Sequence, residues 1–359
     1  MKLADYIAGR DNNFNLIRII AAYGVLVSHC YPLALGHGAV EPPGSLVGMS
    51  FGSMAVDIFF FASGFLVTGS LLARQDTVAF LKARALRIFP ALFVMLVLTV
   101  GTLGMLFSTV PAADFFSDPA TRKYFLRCLT LINGVKYELP GVFGDNPYAK
   151  AVNGSLWSMH YELRLYLILA LLWAAMRLAG IHRLQAFRIT VVAGAAAFGM
   201  LMFASRFGLT EKPDIFYRLG FMFLGGGSFY ILRARIVLST RLTCGLAVAL
   251  TAAAVAGFDA FFVVYSLAIG YLLLWAAYVP GGIIRRYNAV GDYSYGVYIY
   301  AFPLQQTVAA LIPGVTVLQM LLLSSLATLA CAILSWRLVE EKALALKDQY
   351  PRRVPPGTP

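Results

Sequence analysis

The sequence predicts an all-α, polytopic integral membrane protein with about ten transmembrane helices and both termini cytoplasmic. Three observations carry this reading. Hydrophobic residues make up 60% of the 359 and charged residues only 13%, against about 25% charged in an average soluble domain; mean hydropathy is +0.74. The apolar residues fall in runs close to the ~20 residues needed to cross a bilayer. The 29 Lys and Arg are distributed unevenly among the segments that join those runs.

The runs are placed at 14–35, 53–73, 87–107, 156–177, 188–206, 216–232, 242–257, 260–279, 293–311 and 315–338. An even number of spans puts both termini on one side. Nineteen of the 29 Lys and Arg fall on the side of the termini, eight on the other, and Arg18 and Arg164 lie inside spans. Loops rich in Lys and Arg stay in the cytoplasm, which fixes the expected orientation. The formal charge of +12 is therefore assigned to membrane topology, and no basic-aromatic alternation on a soluble domain suggests nucleic acid. No cleavable signal peptide is expected, because residues 1–13 are polar and the first apolar run is too long for one. Cys30, Cys128, Cys244 and Cys331 form no C-x-x-C pair and give no metal or disulfide signal.

The first span is apolar, yet it carries Arg18 and His29. Ionisable groups within a membrane are costly, usually face protein or a wet cavity, and are functional candidates by default. Eleven residues separate these two, which leaves them about 20° apart around a helix and about 16 Å apart along it. Asn15 lies on the same stripe. The second span returns with Asp57 near the outer surface, where it is either a functional carboxylate or an interface residue. Arg84 and Arg87, at the inner mouth of the third span, present both guanidinia on one side; with Arg74 and Lys82 they form a cationic cluster suited to phosphate oxygens, or serve only as positive-inside anchors.

Residues 108–155 form the longest stretch outside the spans, with an interfacial helix expected near 124–132 and a loop over 134–154 rich in Gly, Pro and Asn. Long ordered loops are often lids or acceptor sites. The fourth span opens with Ser158, His160, Glu162 and Tyr166. Ser158, Glu162 and Tyr166 succeed one another by one helical turn and share a face. Glu162 is the second intramembrane charge chosen as functional, His160 reads as an interface histidine, and Arg164, on another face, is expected to pair with Asp57 or to sit at the lipid boundary. Gly225-Gly-Gly-Ser228 reads as a close-packing segment, since it lacks the Lys of a phosphate loop. The ninth span carries Tyr295, Tyr298 and Tyr300, and residues 346–359 form a basic, Pro-rich tail expected to be disordered.

The chain resembles the membrane-bound acyltransferase-3 family, which O-acylates carbohydrates of bacterial envelopes. The matching pieces are Asn15-Leu-Ile-Arg-Ile-Ile-Ala21 with His29; Val56-Asp-Ile-Phe-Phe-Phe-Ala-Ser-Gly-Phe-Leu66; Arg84-x-x-Arg87; Ser155-Leu-Trp-Ser-Met-His-Tyr-Glu162; Tyr293-Ser-Tyr-Gly-Val-Tyr-Ile299; and Arg337-Leu-Val-Glu-Glu341. They run through nearly the whole chain in the family's order, so 1–345 is expected to be a single acyltransferase-3-like domain. The resemblance implies that His29 is the catalytic histidine, that Arg84 and Arg87 engage the acyl donor, and that Glu162 belongs to the active site. It implies acyl-CoA (acetyl-CoA or succinyl-CoA) as donor, a carbohydrate acceptor (polysaccharide or lipid-linked sugar), membrane lipid as surroundings, and no metal. Two departures stand out: Tyr300 replaces a histidine common in the ninth span, and Lys342 replaces a proline after the final Glu.

From these residues, the expected catalytic group is His29, Glu162 and Asp57, with Arg84, Arg87 and Arg18 at the donor and Tyr166, Ser158 and Tyr300 lining the substrate site. His29 would act as general base or as an acyl relay, with Glu162 orienting it. The alternative is a transporter or flippase for a lipid-linked saccharide, for which the sparse intramembrane charges would line a pathway.

Overall fold

The computed structural model describes residues 1–7, 11–179, 183–210 and 215–346. The tail expected over 346–359 lies, apart from Leu346, outside the described residues, as do Arg10, Lys212, Lys347, Arg352 and Arg353 of the charge tally. The main helices are α1 (Phe14–Leu35), α2 (Phe51–Arg74), α3 (Thr77–Leu98), α4 (Pro119–Thr130), α5 (Met159–Leu178), α6 (Arg183–Arg206), α7 (Ile215–Ile231), α8 (Thr240–Ala256), α9 (Phe258–Tyr278), α10 (Ser294–Leu311) and α11 (Val317–Ser335). Single turns of π-helix carry α3 on through Thr99–Leu103 and α11 on through Trp336–Glu340. A hydrocarbon environment offers no partners to backbone polar groups, which is why helices close their own bonds there.

Among the described residues, six helices are long and apolar enough to cross a membrane: Phe14–Leu35, Phe51–Arg74, Thr77–Phe107, Leu184–Arg206, Phe258–Tyr278 and Val317–Ala345. The chain is thus a multi-pass membrane protein. Helices also occupy the other four expected ranges, as α5, α7, α8 and α10. Helix α4 overlaps the expected interfacial segment, beginning five residues earlier and ending at Thr130.

Polar side chains set the helix starts. Ser50 Oγ accepts from the Ser53 amide at α2, Asp76 accepts from the Val78 and Ala79 amides at α3, and Thr316 with Gln319 forms a reciprocal capping box at α11. Each satisfies donors that the helix itself cannot. The N-terminus is tied down as well. The Leu3 amide donates to Ile236 O at 2.8 Å and the Leu238 amide to Met1 O at 3.1 Å, placing the start of the chain against the turn that follows α7.

Packing is tightest between α2 and α7. A Cβ at Gly64 would fall 1.8 Å from Phe223 O, and one at Gly226 would fall 2.1 Å from Phe61 O. The absence of side chains at these two positions lets the backbones touch. Helix α7 runs unbroken through Gly225–Gly227. Helix α1 packs against α2, α10 and α11, so protein flanks it on three sides.

Candidate functional site

The site is built from α1, α2, α3, α5 and α10. Most of the polar groups considered for the site sort into three groups, and Asp57 pairs elsewhere. The first is an ionic knot. One oxygen of Asp292, Oδ2, accepts from Arg18 Nη1 and also from Arg87 Nη2, the latter at 2.6 Å. Its other oxygen accepts from Ser294 Oγ at 2.5 Å. Arg87 also approaches Glu340 Oε2 at 3.6 Å and lies within 6 Å of the Tyr295 and Trp336 rings. The π turn that ends α11 brings Trp336 and Glu340 to the guanidinium, and such turns often occur at functional sites. Burial alone would raise the Asp292 carboxyl, but Arg18 and Arg87, helped by Ser294, hold it below its ordinary value.

Arg84 stands apart from the knot. Its guanidinium lies 6.0 Å from the centre of the Tyr166 ring, and its Nε is buried without a hydrogen-bond partner. The helical spacing does bring Arg84 and Arg87 to one end of the bundle, but their surroundings differ: among the described residues Arg87 is neutralised by two carboxylates and Arg84 by none.

The second group is Glu162, Tyr166, Ser63 and Ser158. Glu162 Oε1 accepts from Ser63 Oγ at 3.0 Å and from the Tyr166 hydroxyl. Ser158 Oγ is 2.7 Å from the Tyr298 hydroxyl, which donates to Ser155 O at 2.5 Å. Arg18, Ser63, Ser158, Glu162, Tyr295 and Tyr298 line a cavity of about 50 Å³. That is room for water molecules, and a pantetheine arm enters only if lining side chains move.

The third group is His29. Its Nδ1 lies 3.5 Å from Ser155 Oγ, and its ring meets Phe302 edge-on at 5.1 Å. Tyr148 packs on Phe302, and His37 stacks on Tyr148 at 3.9 Å. The loop is bolted to α10 above this group: Asn146 Nδ2 donates to Gln306 O, and Gln306 Nε2 donates to Tyr148 O and Ala151 O. Asn153 Nδ2 donates to Ile299 O. The loop is thus an ordered cover over His29.

Several expected neighbours take other partners. Glu162 bonds to Ser63 and Tyr166 and not to His29; Ser155, Tyr298 and Ser158 lead from His29 to the cavity that Glu162 also lines. Asp57 is fully buried and held by Arg218, through Nε to Oδ1 at 2.9 Å and Nη2 to Oδ2 at 2.5 Å. That pairing sets its carboxylate against α7, since Val56, Phe59 and Phe60 are the nearby α2 residues that face the cavity. Arg164 is exposed, beside the Tyr161 ring. His160 packs on Tyr161. Tyr300 is buried but does not line the cavity, whereas Tyr298 on the same helix does.

Spacing within one helix missed Asp292, Glu340, Ser155 and Arg218. One signal was available: an arginine inside a span requires a carboxylate at its depth, and Asp292 and Glu340 are acidic residues next to spans. No group of three or more His, Cys, Asp or Glu is placed to hold a metal among the described residues.

A multi-pass helical bundle in which one helix carries both an imidazole, His29, and Arg18 of an arginine-carboxylate knot defines the class. Residues 11–336 match the acyltransferase-3 family model, an acyltransferase domain, and the chain belongs to that family. It is 29% identical to the O-acetyl transferase of Shigella phage Sf6, over 93% of this chain and 96% of the relative. It is 28% identical to nodulation protein 10 of Rhizobium leguminosarum bv. viciae, over 97% of each. No solved structure matches the chain.

Proposed function

We propose that this acyltransferase moves a short acyl group, such as acetyl or succinyl, from cytoplasmic acyl-CoA to a hydroxyl of an extracytoplasmic or lipid-linked carbohydrate. The carrying observation is the arrangement along α1, with the arginine knot at one end and His29 about 16 Å further on. In this reading the protein lies in the bacterial inner membrane, all ten helices cross, and both termini are cytoplasmic. The cationic end then meets the phosphates of CoA, and His29 lies towards the acceptor. The phage relative is an O-acetyl transferase, which supports acetyl as the first group to test.

The chemistry follows from the imidazole. In the tautomer that carries its proton on Nδ1, which faces Ser155 Oγ at 3.5 Å, Nε2 is left as the base. Nε2 takes the proton of the acceptor hydroxyl as its oxygen attacks the thioester carbonyl. The C–S bond breaks, and the proton passes to the departing CoA sulfur, giving ester and free thiol. In the relay variant Nε2 itself attacks the carbonyl and the C–S bond breaks as CoA thiolate leaves; the acceptor oxygen then takes the acyl group from the imidazole, and the hydroxyl proton ends on the CoA sulfur. Ser155 takes the orienting role, while Glu162 and Ser158 line the cavity through which the thioester arm approaches and Tyr166, outside the lining, holds Glu162 through its hydroxyl. Arg84, which no carboxylate pairs among the described residues, grips phosphate; Arg18 and Arg87 are held in position by Asp292. The lining must open to admit the arm.

The test uses membranes carrying the full chain with radiolabelled acetyl-CoA, and mass spectrometry of envelope glycans. His29→Ala is expected to abolish transfer while the purified variant stays folded. A folded His29→Ala protein that acylates its glycan at the normal rate overturns the reading.

A further inference from the structure

A second cavity lies on the other side of α2 from the site. Its volume is about 470 Å³, and α6, α7, α9 and Phe61 of α2 wall it. The walls are mostly apolar. Of its hydroxyls, Ser228 donates to Leu224 O and Tyr271 donates to Val237 O. The groove follows α7 from Phe221 to Leu232 and ends at Ile236. Eleven helical residues span about 16 Å, which is about half of the ~30 Å hydrocarbon core. It therefore has the depth of one leaflet.

The end near Leu232 is basic. Arg233 and Arg235 occupy the turn between the lining residues Leu232 and Ile236. Arg188 lies four residues before the lining residue Val192, on the same face of α6. Arg188 and Arg235 are exposed, and among the described residues neither has an acidic partner. Arg233 stacks over Tyr230 at 4.4 Å and donates to its carbonyl. Guanidinium groups at the water boundary, above an apolar slot one leaflet deep, match a phosphate joined to an acyl tail.

We propose that this groove is a binding site for one anionic glycerophospholipid, with an acyl tail along α7 and the phosphate on Arg188, Arg233 and Arg235. The glycine run provides a clean way to block it. A Cβ at Gly225 would meet only the Phe61 ring edge, at 3.9 Å, whereas one at Gly226 would strike backbone. Gly225→Leu therefore fills the groove without parting α2 from α7.

The experiment is native mass spectrometry of the purified full chain after detergent exchange, with phosphatidylglycerol or phosphatidylcholine added back. The wild type is expected to retain one phosphatidylglycerol and at least tenfold less phosphatidylcholine. Gly225→Leu is expected to lose retention about tenfold, and Arg233→Gln with Arg235→Gln several-fold. Ala196→Trp, which fills the groove from an exposed position, is the second variant should Gly225→Leu unfold. Equal retention of both lipids, or unchanged retention in a folded groove-filled variant, overturns the proposal.

Discussion

Asp292→Asn is the substitution that most directly tests the site. The amide keeps the shape of the carboxylate but removes the charge that two guanidinia share. Side-chain exposures of 10% for Asp292, 15% for Arg87 and 24% for Arg18 make the knot largely but not wholly buried. Removing one member of a buried ion pair costs about 3–5 kcal/mol. The low end applies, since Arg18 keeps some contact with solvent and Arg87 keeps Glu340 at 3.6 Å. About 3 kcal/mol expressed at the donor site is roughly a hundredfold in kcat/KM for acetyl-CoA. The assay is transfer from radiolabelled acetyl-CoA, with thermal unfolding of the purified protein measured in parallel. A second variant sharpens it. Arg18→Gln added to Asp292→Asn removes the stranded charge, so the double variant loses at least 1 kcal/mol less than the two singles together. The knot also sets a pH dependence. Because the folded Asp292 carboxyl lies below its ordinary value of 3.8, its stabilising contribution is complete above that value and is lost as pH falls through the folded one. Asp292→Asn should lack that acid-side loss. An Asn variant with wild-type donor kinetics, wild-type unfolding and additive behaviour with Arg18→Gln would refute the reasoning.

Three further outcomes are expected. Arg84→Gln should raise KM for acetyl-CoA about tenfold with little change in unfolding temperature, whereas Arg87→Gln should lower both donor use and stability, as measured by the same transfer assay and melts. Asp57→Ala leaves Arg218 unpaired in the bundle and should cost about 3–5 kcal/mol; adding Arg218→Met should recover most of the folded yield seen by size-exclusion chromatography, and no recovery would contradict a role confined to pairing. Gly64→Ala drives a methyl into Phe223 O and should cost about 3 kcal/mol or more, read as loss of monodisperse protein, while Gly225→Ala, with open space around it, should be tolerated.

Most of the helices were legible in the sequence, because spanning a bilayer demands long apolar runs and because caps such as Ser50, Asp76 and Thr316 are local signals. Spacing on one helix also survived folding: Glu162 with Tyr166 on α5, and Arg18 with His29 on α1, were readable because 3.6 residues per turn fixes which side chains share a face. The family resemblance was legible for the same reason, since its motifs are short and continuous in the chain. Partners across helices were not. Asp57 was as compatible with Arg164 as with Arg218, and Glu162 as compatible with His29 as with Ser63. Helical periodicity gives direction around one axis and says nothing about which neighbour stands there. That choice was made by packing: Gly64 and Gly226 press α7 onto α2 and deliver Arg218 to Asp57, and the π turn closing α11 delivers Glu340 to Arg87. Taken alone, the sequence determined where the chain could lie in lipid and which residues were too polar to be there without a reason. Only the tertiary structure decided which charges cancel and which stay available, because pairing depends on distances between helices that no single helix encodes.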